Sequence, residues 1–133
     1  MITGSCLCGR VKYESDGEAL FSVICHCRDC QRASGTSSVP VMGVQKSGFR
    51  VFGDVKSYSM VGGSQKQAVR NFCPNCGSLL FGTPEVIPDI VTIYVGSLDD
   101  ATIYKPQHAM FTRDRPKWCE RRAELPEFEA APE

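Results

Sequence analysis

Seven of the eight cysteines in this chain fall into three tight clusters: Cys6 and Cys8, then Cys25, Cys27 and Cys30, then Cys73 and Cys76. A single tight turn brings sulfurs two or three residues apart to the distances of a metal tetrahedron, so these spacings read as zinc ligands. Seven sulfurs exceed one tetrahedron. One site of four leaves a site of three, and a zinc with three protein ligands keeps a position open for chemistry.

Cys73-Pro74-Asn75-Cys76-Gly77 has the make-up of a zinc knuckle. Proline pre-forms the turn, and glycine accepts the positive φ that lets backbone amides point at sulfur. Those amides offset thiolate charge. A knuckle supplies two ligands, and Cys6-Leu7-Cys8-Gly9 is its natural partner pair. The four-sulfur site would be closed and structural, contributing roughly 10 kcal/mol or more to folding.

Cys25-His26-Cys27-Arg28-Asp29-Cys30 presents three sulfurs within six residues. In an extended stretch Cys25 and Cys27 share a side, and a turn at Arg28-Asp29 brings Cys30 to them. The same period of two turns His26 away from their metal. His108 is a residue that would close the site as three cysteines and one histidine; otherwise water or substrate takes the fourth position. Three thiolates temper the Lewis acidity of zinc and suit a soft sulfur ligand. This site holds metal less tightly than the first and is open to oxidation, Cys27 with Cys30 being the pair to expect. Arg28 and Arg32 flank the cluster as anion contacts. Ser34 and Gly35 offer a hydroxyl and a close backbone approach, and Trp118, the single tryptophan, either walls a pocket or covers the core edge. No sequence feature singles out the general acid/base, for which His26, His108 and solvent are the candidates.

The rest of the chain bounds what these sites serve. Its 133 residues suit one domain, 1–133, and fifteen basic residues balance fifteen acidic ones. No net field draws it to nucleic acid or an anionic membrane. No apolar run approaches the roughly 20 residues of a membrane span. Met1 to Ser5 has neither the basic head nor the apolar stretch of an export signal. A cytoplasmic chain is expected, where clustered cysteines favour metal over disulfide.

The elements that must position the sulfurs are mostly short strands. Alternation and turn residues place them over 9–14, 20–24, 38–44, 48–53, 55–60, 67–72, 78–81 and 90–95, with a hairpin tip at Gly62-Gly63-Ser64. Pro40 suggests an edge or a bulge for its strand. The best helix is a turn or two from Asp29 to Ser34, ended by Gly35. Phe49, Phe52, Phe72, Phe81, Tyr94 and Phe111 are expected in the core, and the charged, proline-bounded tail beyond Trp118, from about residue 124 above all, is expected to fray.

Taken together, the spacings resemble the glutathione-dependent formaldehyde-activating enzyme family, which also includes centromere protein V. The matching elements are Gly4-Ser5-Cys6-Leu7-Cys8-Gly9, Cys25-His26-Cys27-Arg28-Asp29-Cys30-Gln31-Arg32, Arg70-Asn71-Phe72-Cys73-Pro74-Asn75-Cys76-Gly77, the Gly96-Ser97-Leu98-Asp99 turn, His108, Trp118 and Leu125-Pro126-Glu127-Phe128-Glu129. The resemblance implies a mainly β fold of several small coiled antiparallel sheets, shared with the methionine-R-sulfoxide reductases. It implies a structural zinc on Cys6, Cys8, Cys73 and Cys76, and a catalytic zinc on Cys25, Cys27 and Cys30. The activity implied is a carbon–sulfur lyase reaction joining glutathione and formaldehyde. Some members carry arginine where this chain has Gln31. Two other readings stand beside this one. A non-catalytic zinc-stabilised module requires a fourth protein ligand at the second site. A sulfoxide reductase requires Cys119 as nucleophile, although Trp118-Cys119-Glu120 lacks the flanking arginine and asparagine of that enzyme; a spare thiol is the simpler role.

Overall fold

The computed structural model describes residues 1–132 and is mainly β. Ten strands run in chain order: β1 (Ile2–Ser5), β2 (Lys12–Ser15), β3 (Phe21–Cys25), β4 (Val39–Gln45), β5 (Phe49–Phe52), β6 (Lys56–Val61), β7 (Gln67–Phe72), β8 (Leu79–Gly82), β9 (Ile90–Tyr94) and β10 (His108–Met110). The single α-helix, α1 (Arg28–Ser34), stands between β3 and β4, and short 3-10 turns fill other connections. Strands β1-β2-β5 make a small antiparallel sheet, and the order β10-β3-β4-β9-β8-β7-β6 makes a seven-stranded one.

Strand alternation explains why the large sheet is buried on both faces at β4. Met42 and Val44 join Val11, Tyr13, Leu80, Val91 and Ile93 in the core between the two sheets. Val39 and Val41 point the other way, into a second cluster with Val23, Cys25, Cys30 and Phe111. Side chains two apart share a face. The sheet therefore divides the molecule: a conventional core lies on one side and a cysteine-bearing cluster on the other.

Several expectations are corrected. Pro40 lies in a strand flanked on both sides, between β3 and β9. It is tolerated because it opposes Ile24 of β3 at a point before the β9 ladder begins, at Val41. The sheets are not wholly antiparallel, since β10 runs parallel to β3, with His108 opposite Val23 and Met110 opposite Cys25. Three residues without clear alternation gave no strand signal there. Phe52 is half exposed because it shares the outer face of β5 with Arg50, while Phe49 and Val51 turn inward. The tail folds back rather than fraying. The Ala109 amide donates to the Pro126 carbonyl and the Phe128 amide to the Ala109 carbonyl, both at 2.9 Å, the Phe111 amide donates to Ala130 O at 3.2 Å, and Leu125 is buried. Arg115 is paired with Glu127, and the Phe128 ring meets the His108 ring edge-on at 5.1 Å.

Candidate metal centres

The two turns at Cys6–Gly9 and Cys73–Gly77 meet, and the sulfurs of Cys6, Cys8, Cys73 and Cys76 lie within 4.8 Å of one another. A zinc tetrahedron with Zn–S bonds of about 2.3 Å has edges of about 3.8 Å. Cys6 and Cys8 Sγ are 3.6 Å apart, and Cys8 and Cys73 Sγ are 3.8 Å apart. The residues present therefore fit a metal ion of this size. Each turn is closed by its own backbone, with Gly9 donating to Cys6 O and Gly77 to Cys73 O, and both glycines take positive φ, 81° and 75°. The Val11 amide donates to Cys6 Sγ at 3.3 Å, and the Ser78 hydroxyl lies 3.2 Å from Cys76 Sγ while accepting from the Leu7 amide. Ser78 thus ties the two knuckles together. Hydrogen bonds from the Ser78 hydroxyl and amide draw the Cys76 pKa down to about 5, the direction a metal ligand needs. Cys6 and Cys73 are buried at the core edge, whereas Cys8 is exposed and Cys76 half-buried, so the site is complete in sulfur but lies at the surface.

The second group is Cys25, at the end of β3, with Cys27 and Cys30 around the start of α1. Cys25 and Cys30 Sγ are 3.5 Å apart, again close to a tetrahedral edge. Cys27 is the N-cap of α1, its sulfur accepting from the Cys30 amide at 3.2 Å. A ligand sulfur here does the work of a capping oxygen. Hydrogen bonds from the Cys25 and Cys30 thiols hold the Cys27 pKa down to about 3, while Cys27 and Cys30, and then burial, drive Cys25 far above the thiol range. Three thiolates this close require a cation, and no fourth His, Cys, Asp or Glu joins the group among the described residues.

Gln31 fixes this loop in place. Its buried amide donates to the His26 carbonyl at 2.7 Å and the Asp114 carbonyl at 2.9 Å, and its oxygen accepts from Arg28. Gln31 thus has a structural use in this chain. His26 is buried on the far side of the strand, where it lines a small separate pocket with Cys119, Arg115 and Glu127. The period-of-two argument holds for its direction.

Above the three sulfurs lies a cavity of about 520 Å³ whose lining includes Cys25, Cys27, Cys30, Arg70, Tyr94 and His108. Three polar side chains that line this cavity, Arg70, Tyr94 and Thr92, carry no local signal in the sequence, because only sheet pairing brings β7 and β9 to the cysteines. Arg70 Nη2 is 3.8 Å from Cys30 Sγ, and its buried Nε has no protein partner. Burial works against the Arg70 charge, but Tyr94, Cys30 and Cys27 outweigh it and keep the pKa above the ordinary guanidinium value. Burial holds the Tyr94 hydroxyl protonated. His108 contributes a buried Nε2 without a protein partner, and burial lowers its pKa. The β6–β7 hairpin tip closes one wall. A Cβ on Gly63 would stand 2.8 Å from the Phe111 ring, so only glycine allows this approach.

None of Arg32, Ser34, Gly35 and Trp118 lines the cavity. Arg32 sits on the exposed face of α1. The Ser34 hydroxyl donates to Cys30 O at 2.7 Å and also meets Thr36, and Gly35 terminates the helix with φ 74°. Trp118 is 76% exposed, so it neither walls the cavity nor covers the core. Cys119 lies 3.5 Å from the Ser37 hydroxyl and is also outside the cavity.

Fold and sites together define a β-domain carrying one complete four-sulfur centre and one three-sulfur centre that opens onto a cavity. The chain belongs to the glutathione-dependent formaldehyde-activating enzyme family, whose model matches residues 1–114. A crystal structure of a Rhodobacter sphaeroides protein is similar at 25% identity and a TM-score of 0.59, over 73% of this chain and 87% of that one. No curated protein matches the chain. No described helix is long and apolar enough to cross a membrane.

Proposed function

We propose that the protein is a zinc-dependent carbon–sulfur lyase that makes and breaks adducts between a thiol and an aldehyde. Glutathione and formaldehyde are the pair in the family's description. One observation carries this reading: three convergent sulfurs without a fourth side-chain ligand at the foot of a cavity large enough for a small thiol. Cys6, Cys8, Cys73 and Cys76 would hold a structural zinc, and Cys25, Cys27 and Cys30 the second. All eight cysteines are free, in keeping with a reducing cytoplasmic setting.

Zinc at the open site would lower the pKa of a bound thiol and so supply a thiolate near neutral pH. The chain's own groups do the rest. His108, kept neutral by burial, takes the thiol proton. The thiolate sulfur adds to the aldehyde carbon, the carbonyl π pair moves to oxygen, and His108 returns the proton there. Arg70 and the Tyr94 hydroxyl face the developing oxyanion. In reverse, the carbon–sulfur bond breaks and its electron pair leaves with sulfur. A binding module without chemistry would need a fourth protein ligand, which the described residues do not provide.

The test is exchange spectroscopy on a thiol–formaldehyde mixture, against the uncatalysed rate. Wild-type protein is expected to accelerate exchange by more than about tenfold, and Cys27→Ser to restore the background rate. Equal acceleration by both proteins would remove the three-sulfur site from the mechanism.

A further inference from the structure

The cavity beside the open site has a chemical character that a highly charged thiol does not match. Its walls are built from Phe21, Val23, Val41, Val69, Met110 and Phe111, with Val86 and Ile87 from the β8–β9 connection. Arg70 is the only lysine or arginine lining it among the described residues, and Asp29 the only carboxylate. Glutathione carries two carboxylates and an ammonium group. Placing it here would match one carboxylate to Arg70 and the ammonium to Asp29 at most, and would leave the second carboxylate to lose water without a partner, which is costly. Apolar ligand surface gains from the same walls. Arg70 already stands 3.8 Å from Cys30 Sγ with its Nε unpaired, so a single anionic group is matched at the sulfur end of the cavity.

We infer that this chain acts on a thiol with an apolar body and a single acidic group, in preference to a multiply charged peptide thiol. The inference rests on the proposed binding of thiol at the three-sulfur site, and it adds which thiol. Arg70 is the specificity residue, and the apolar walls supply most of the selection.

Isothermal titration of the zinc-loaded full chain with mercaptophenylpropanoate, phenylethanethiol and glutathione tests it. Mercaptophenylpropanoate is expected to bind at least about tenfold tighter than glutathione. Glutathione binding as tightly or tighter overturns the inference. Arg70→Gln is expected to weaken mercaptophenylpropanoate about tenfold and phenylethanethiol less than about threefold. Equal weakening of both overturns the role of Arg70. The S-methyl derivatives of mercaptophenylpropanoate and glutathione, which have no thiol to ionise, separate the two readings. Preference for the apolar derivative belongs to the cavity, while loss of thiol binding in Cys27→Ser belongs to the metal site. Retained thiol binding in that variant would sink the lyase proposal and leave the apolar preference standing.

Discussion

The four-sulfur and three-sulfur centres use the same ligand in opposite ways. The first is assembled from two knuckles about 70 residues apart, each closed by its own backbone and joined through Ser78. Its four sulfurs complete a tetrahedron, so although Cys8 is exposed no position is left for a further ligand. The second is local in sequence, its three sulfurs spanning six residues, yet it faces a cavity built by strands from elsewhere. Long-range sulfurs make a staple, because a metal joining distant segments converts binding energy into folding energy. Short-range sulfurs need little help to meet, so their metal can be left partly uncovered for a ligand. Burial, charge and hydrogen bonding then differ accordingly: amides and a hydroxyl surround the first, while an arginine, a tyrosine and a histidine stand over the second.

The contrast is sharpest in loss of ligand. Cys73→Ala should destabilise by several kcal/mol or leave no folded chain, read by thermal denaturation, since binding at such a site is worth on the order of 10 kcal/mol. A variant that melts normally would break the distinction from one side. Cys27→Ser should keep the fold while zinc falls from about two ions per chain to about one and turnover disappears. If it unfolds instead, the second site is also a staple.

Gln31→Ala tests how far the open site depends on its loop. The buried carbonyl of His26 and the partly buried one of Asp114 lose their donor, costing about 1–3 kcal/mol by denaturant titration and weakening metal retention at the second site before the first. Simultaneous release of both metals would contradict the separation. Trp118→Ala should change stability by less than about 0.5 kcal/mol and leave thiol affinity alone, given its exposure. The smallest effect is that of pH on His108. Burial places its folded pKa below the ordinary 6.5, so the unfolded chain binds more protons in that window. Its contribution to stability is then complete above pH 6.5 and shrinks as pH falls toward the folded value. His108→Gln should flatten the acid side of the stability profile slightly, without moving the alkaline side.

Much of the scaffold could be read in advance because it follows from local chemistry. The knuckle at Cys73–Gly77, the cysteine turn capped by Gly35, and the β-branched run of β9 each carry their cause in adjacent residues. The misreadings have a common source. Pro40 looked like an edge residue, but whether a missing amide matters depends on which neighbour begins where. The expectation that alternation places both Phe49 and Phe52 in the core fails, because three positions apart in a strand they fall on opposite faces, and Phe52 lies with Arg50. The short strand β10 exists because β3 offers it an edge, and the returning tail because β10 in turn offers one at Ala109, facts absent from either segment.

The order and spacing of cysteines settled by themselves that seven sulfurs would form one complete group and one incomplete group. Their identity as ligands rests on short-range geometry, which a few residues determine. Which side chains overlook the incomplete group was decided only by tertiary structure. Arg70, Tyr94 and His108 reach it from three strands whose positions depend on sheet pairing over long separations, and no local pattern encodes that. The apolar walls arise the same way, from alternate faces of strands that become neighbours only when the sheet is built.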